Sequence, residues 1–239
     1  MKGLATLCLM MCCVLPAFSQ ITLTENDIQV LIGTTQEYIT YSRDEPADAI
    51  EALIDMDGAN QTWDFTVLPF DEDESVRTTK TLATEAPLDA PGHVEAPFNQ
   101  ADYVLIDEIG TDSVNYDFLQ SGTDGVYFMG TTGAYGTNSE VRSAYHSPIL
   151  ILPLPATYGD TWTSNGTYTI TGDGTTYDIE ETLDNEMDGY GTLVLPHGSF
   201  EVLRQKQEMT LETPFGTTTQ TIVTAENRGN DVGNAVESQ

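Results

Sequence analysis

Between Thr161 and Thr171 threonine occupies positions 161, 163, 167, 169 and 171, while Trp162, Tyr168 and Ile170 stand at even positions between them. In an extended strand successive side chains point to opposite faces, so this period-two pattern predicts a strand with one wet and one buried face, Trp162, Tyr168 and Ile170 lying inside. The same texture predicts strands over Thr35–Tyr41, Thr62–Leu68, Val76–Ala83, Tyr103–Glu108, Ser113–Leu119, Gly125–Met129, Tyr177–Leu183, Gly191–Leu195, Phe200–Leu211 and Thr217–Ala225. Turns are signalled at Asp57-Gly58, Ser121-Gly122, Asp124-Gly125, Asp173-Gly174, Asp188-Gly189 and Pro196-His197-Gly198. Only Pro46–Ile54 reads as helix, behind an acidic first turn. The expected fold is all-β: an antiparallel β-sandwich or strongly curved open barrel with at most one or two short helices.

The joins are equally marked. Pro87, Pro91 and Pro97 make 85–99 a long surface loop, and Asp71–Glu74 an acidic turn. Pro148, Pro153 and Pro155 interrupt an apolar run, placing a seam between two sheets or lobes near 147–158. No fixed repeat is present. The expected organisation is a leader over 1–19, one β-domain over 20–228 and a polar flexible tail over 229–239.

The leader rests on Lys2, the apolar run Leu4–Leu15 and the close Pro16-Ala17-Phe18-Ser19-Gln20, a signal-peptide pattern with cleavage after Ser19. The run is shorter than the roughly 20 residues of a membrane span. Cys8, Cys12 and Cys13 all leave with it, so the mature chain has no disulfide, thiolate nucleophile or cysteine-ligated metal. Met11 before Cys12 lacks the small residue of a lipid-attachment motif. The full chain of 239 residues carries 8 basic and 38 acidic residues, and loss of Lys2 takes the net charge from −30 to −31. Such charge opposes nucleic acid and anionic lipid surfaces, and favours loose association with divalent cations.

Four segments in order carry a family resemblance: the leader end Ala17-Phe18-Ser19-Gln20; Gly58-Ala59-Asn60-Gln61-Thr62-Trp63-Asp64-Phe65; Leu152-Pro153-Leu154-Pro155 with Tyr158-Gly159-Asp160-Thr161-Trp162; and 189–204, from Gly189-Tyr190-Gly191 to Val202-Leu203-Arg204. Together they resemble the N-terminal β-domain of secreted Bacteroidota proteins that often end in a type IX secretion sorting domain. The resemblance spans most of 20–228 and implies a secreted or surface β-domain with no activity attached. No sorting domain with a basic end follows here, so the expected destination is secreted or surface, or periplasmic if the chain ends at Gln239.

Candidate chemistry is sparse. Asp55-x-Asp57-Gly58-x-Asn60 resembles half a calcium loop, but no glutamate stands at the distal position and Asp64 falls short of it. Asp184, Glu186 and Asp188, with Asp178, Glu180 and Glu181 upstream, form a second acidic run whose even-numbered members would share a strand face. His93, His146 and His197 are far apart and lack zinc-motif spacing. No serine occupies a Gly-x-Ser-x-Gly elbow, and Ser199 sits in a turn. Gly133-Ala134-Tyr135-Gly136 and Gly172-Asp173-Gly174 lack the lysine and helix of a phosphate loop, and Asp112-Ser113-Val114 resembles a short O-glycosylation motif. Arg204 is expected to pair with a carboxylate on a neighbouring strand. No catalytic, cofactor-binding or metal residue is therefore assigned. The expected role is a secreted non-catalytic β-domain for binding, adhesion or envelope structure, its ligand a glycan or protein. The alternatives are an extracellular hydrolase of polysaccharide or peptide, and a carrier holding an apolar ligand in a curved sheet.

Overall fold

A computed structural model describes residues 21–41, 55–67, 75–109, 113–135, 139–172, 174–195, 198–227 and 230–238. The leader with its cysteines, the helix expected at Pro46–Ile54, the acidic turn Asp71–Glu74, and His197 lie outside the described residues.

The elements are β1 (Thr22–Leu23), α1 (Glu25–Gln29), β2 (Thr35–Tyr41), β3 (Gly58–Asp64), β4 (Ser75–Ala83), β5 (Tyr103–Ile109), β6 (Ser113–Gly122), β7 (Gly125–Tyr135), β8 (Ser139–Pro153), β9 (Ala156–Thr157), β10 (Thr161–Gly172), β11 (Thr175–Leu195), β12 (Gly198–Thr213), β13 (Gly216–Asn227) and β14 (Asn230–Ser238). Short 3-10 turns lie at Phe65–Val67 and Phe98–Gln100. The main sheet has twelve strands in the order β14-β13-β12-β11-β10-β8-β7-β6-β5-β4-β2, with β3 joined to β11. Every ladder is antiparallel except β3–β11, which is parallel. The fold is all-β, and the sheet curls into a half-barrel.

The curl follows from where the apolar side chains meet. Val126 on β7 and Leu152 on β8 share one buried cluster with Met187 on β11 and Leu203 on β12. A flat sheet cannot bring strands that far apart together, so the face carrying these residues is the inner one. Ile21, Leu23 and Ile28 from β1 and α1 close one end of it. Tyr145, Ile149 and Leu183 continue the same face with Phe128, Tyr168 and Met209, and Ile151 belongs to both clusters. On the opposite face of β5–β7, Ala90 and Phe98 of the proline-rich loop cover Val104, Tyr116, Phe118 and Met129.

Several strands begin or end away from their expected limits, each for a local reason. Tyr177–Leu183 and Gly191–Leu195 are one strand, β11; Asp188-Gly189 is a bulge between Glu186 and Gly189, not a turn. The third strand starts at Gly58 and stops at Asp64, whose carboxylate accepts the Thr66 N–H at 3.0 Å and so turns the chain. The seam at 147–158 contains the end of β8; Pro148, which has no ladder N–H to give, sits where the β7–β8 register jumps. Residues 230–238 of the expected tail form β14 against β13, a pairing made through backbone groups that polar side chains do not prevent. The helix α1 was not expected; Asp27 caps it by accepting from Thr24 N and Oγ1 at 2.8 and 2.6 Å. Trp162, Tyr168 and Ile170 share the inner side of β10 but are half-buried rather than buried.

Candidate functional site

The β8–β10 ladder runs from Val141 opposite Gly172 to Tyr145 opposite Tyr168, and among the described residues it ends there. Beyond it His146, Ser147 and Pro148 are exposed, and the following residues of β8 remain paired with β7. The sheet thus forks at Tyr145. Backbone groups that leave a ladder need other partners when buried, and side chains supply them. Ser164 Oγ donates to Leu150 O at 2.7 Å, and Gln205 Nε2 reaches Ile151 O at 3.4 Å. The Tyr145 hydroxyl donates to Glu181 Oε2.

That last contact crosses a whole strand. Tyr145 is on β8 and Glu181 on β11, with β10 between them. Gly166 is the residue of β10 opposite Glu181. A Cβ there would lie 3.0 Å from the Tyr145 ring, so glycine leaves the gap over which the ring extends. Phe128 and Tyr168 flank the ring with centroid separations of 5.6 and 5.0 Å. Next along the inner face, Asn185 Oδ1 accepts from Gln205 Nε2 at 2.9 Å and Gln207 Nε2 at 2.8 Å, and Asn185 Nδ2 donates to Leu183 O at 3.0 Å.

Glu181 is 7% exposed and Tyr145 6%. Burial raises the Glu181 carboxyl above its ordinary range, an effect the Tyr145 hydrogen bond partly opposes. Burial and the adjacent carboxylate raise the Tyr145 phenol strongly, so it stays protonated and acts as a donor. Tyr168 is pushed up to about 12, mainly by burial. The arrangement offers one deeply held carboxyl group, half-exposed aromatic rings and a row of amides on a single curved face.

A second buried polar group holds β3. Arg204 Nε lies 2.9 Å from Asp188 Oδ1 and Arg204 Nη2 3.0 Å from Oδ2, with side chains 3% and 6% exposed. This is the ion pair expected of Arg204 with its neighbouring strand. Burial pushes the Asp188 carboxyl up and the guanidinium pulls it down. Because arginine keeps its proton, ionised Asp188 is the partner that neutralises it. Arg204 Nη1 and Trp63 Nε1 both donate to Met56 O, at 2.5 and 2.8 Å. Gly191 permits the parallel approach, since a Cβ there would meet Gln61 O at 2.0 Å.

The bulge in β11 also divides the acidic run. Asp178, Glu180, Asp184 and Glu186 are exposed on the outer face, whereas Glu181 points inward by parity and Asp188, at the bulge, is buried against Arg204. Thr169 and Thr163 donate to Asp178 and Asp184, each at 2.6 Å. Asp55, Asp57 and Asn60 are exposed, and Gly58 and Asn60 have φ of 98° and 57°. Among the described residues no three His, Cys, Asp or Glu side chains gather as metal ligands. His93 Nδ1 contacts Ala90 O at 2.9 Å. His146 Nε2 lies 3.0 Å from Thr169 Oγ1, while the Thr169 hydroxyl itself serves Asp178. Ser199 is exposed at the start of β12. No described helix is long and apolar enough to cross a membrane.

The sequence reading passed over Tyr145 because 139–153 was not assigned as a strand. Glu181 had a visible signal: it interrupts the apolar alternation Tyr177, Ile179, Leu183 on an inward stripe. In comparison with known proteins, the chain matches no protein-family model, no curated protein and no solved structure.

Proposed function

We propose that this is a secreted, non-catalytic binding domain whose recognition surface is the inner face of the half-barrel beside the fork, and that its ligand is a glycan. The observation that carries the reading is the gathering on one curved face of half-exposed Phe128, Tyr168 and Trp162 with the half-exposed amide of Gln207, braced from within by the buried amides of Asn185 and Gln205. Aromatic rings offer flat apolar contact and amides offer directed hydrogen bonds, the combination by which a concave site fixes a ligand. Export follows the leader pattern, and the four ordered segments support kinship with secreted Bacteroidota β-domains of type IX secretion substrates. A panel of soluble neutral and acidic oligosaccharides, followed by tryptophan fluorescence and calorimetry, tests the reading. Saturable binding without cleavage of the sugar supports it; sugar cleavage would replace it with the hydrolase reading. A carrier role is the second reading, favoured by the continuity of apolar clusters through Ile151. Saturable uptake of the neutral dye N-phenyl-1-naphthylamine, with no oligosaccharide bound, would favour it.

A further inference from the structure

We propose that buried Glu181, bound by Tyr145, is a proton-operated latch on the sheet's fork: the β8–β10 seam stays closed while its carboxyl is neutral, and ionisation, although it makes Glu181 a stronger acceptor for the Tyr145 hydroxyl, loosens the seam because a buried carboxylate that faces no cation draws in water. Three features place the latch. The contact stands at the last rung of the β8–β10 ladder, where the backbone has no further pairs to hold the strands together. It ties β8 to β11 across the gap at Gly166. The other two stitches, from Ser164 and Gln205, involve groups that do not titrate. Of the three, only the tie at the apex of the fork changes charge.

The surroundings decide the sign. The titratable groups facing Glu181 are the phenols of Tyr145 and Tyr168, with Tyr177 beyond Tyr168. The remaining inner-face neighbours are apolar: Phe128 on β7, Ile149 on β8, Leu183 on β11 and Met209 on β12. Glu180 and Asp184 on β11 are exposed on the opposite face, as are Glu208 and Glu212 on β12. Arg204 is committed to Asp188. An ionised Glu181 is therefore answered by a hydroxyl, not by a cation, and it gains by admitting water. Its carboxyl is raised in the fold, so the stabilising contribution is complete below the ordinary glutamic range, about 4.3. It is lost as pH rises through the raised value.

The test is amide hydrogen exchange between pH 5 and pH 8, corrected for intrinsic rates, on the wild-type protein and Glu181→Gln. Glutamine keeps the shape of the protonated acid without its titration, and the difference between the two proteins cancels the other carboxylates. Protection at 149–152 and 162–167 should fall roughly tenfold from pH 5 to pH 8 in the wild type and stay level in Glu181→Gln. Equal pH dependence in both proteins would overturn the latch. Should Glu181→Gln fail to fold, the carboxyl carbon of Glu181 is followed by NMR in the wild type. A midpoint above the exposed glutamates, with shifts at Tyr145 and Leu150 moving in step, upholds the proposal; a midpoint among the exposed glutamates overturns it.

Discussion

Replacing Arg204 with methionine should be among the most damaging single changes in this molecule. The guanidinium makes two close contacts with Asp188 and donates to Met56 O. Methionine fills similar space but leaves the buried Asp188 carboxylate without its paired guanidinium, with only the charge of exposed Lys206 to answer it. Breaking one partner of a buried pair costs about 3–5 kcal/mol. At about 2–4 °C per kcal/mol for a chain of this size, Tm should fall by roughly 6–20 °C. The double variant Arg204→Met/Asp188→Leu removes both charges and should recover most of that loss, since well-packed apolar replacements of buried pairs are often neutral. Thermal unfolding by circular dichroism gives the size of the effect. Emission of Trp63, whose Nε1 shares the Met56 carbonyl, reports whether β3 stays seated. A single variant losing less than about 1 kcal/mol, or a double variant no better than the single, would refute the claim that the pair clamps β3.

Other consequences are open to measurement. Gly166→Val should push the Tyr145 ring off its path and cost about 1–3 kcal/mol in urea unfolding, with part of the loss recovered by Tyr145→Ala in the same chain; an unchanged midpoint would contradict the close approach. Asp184 stands opposite Glu208 and Glu180 opposite Glu212 on the outer face, so sodium chloride should raise Tm, most of the gain arriving by about 0.15 M, where the Debye length is near 8 Å. At fixed high salt calcium should give no saturable increase; a micromolar, calcium-selective rise abolished by Asp184→Asn or Asp57→Asn would reveal a site and its location. Intact-mass analysis of the exported protein should show a chain starting at Gln20, and a product retaining Cys8, Cys12 or Cys13 would contradict the cleavage reading.

The all-β fold was legible because alternation survives wherever one face is wet. Thr161–Thr171 appears in the structure as β10 with one further residue, and Thr35–Tyr41 as β2 without change. What escaped was set by contacts distant in sequence. Pro148 and Pro153 argued against a strand at 139–153, yet a register jump accommodates the first and the strand's end the second. Asp188-Gly189 carries a turn signal, but β3 lying parallel alongside makes it a bulge within one long strand. The fork could not be read at all. It depends on where β8 and β10 cease to pair, and so on how Gly166, Tyr145 and Glu181 meet from three strands. Within that site only Glu181 carried a signal, a charge on an apolar stripe, and the sequence reading counted it with the acidic run instead.

The claim that the inner face beside the fork is the binding surface is tested most directly by measuring oligosaccharide affinity calorimetrically for the wild type, Phe128→Ala and Tyr168→Ala, with folding of each variant verified by circular dichroism. The account predicts saturable binding by the wild type that weakens at least about tenfold in each variant, a loss of about 1.4 kcal/mol, with the sugar recovered intact. Affinity unchanged in both variants, or binding that maps to the outer threonine and carboxylate face, would contradict it.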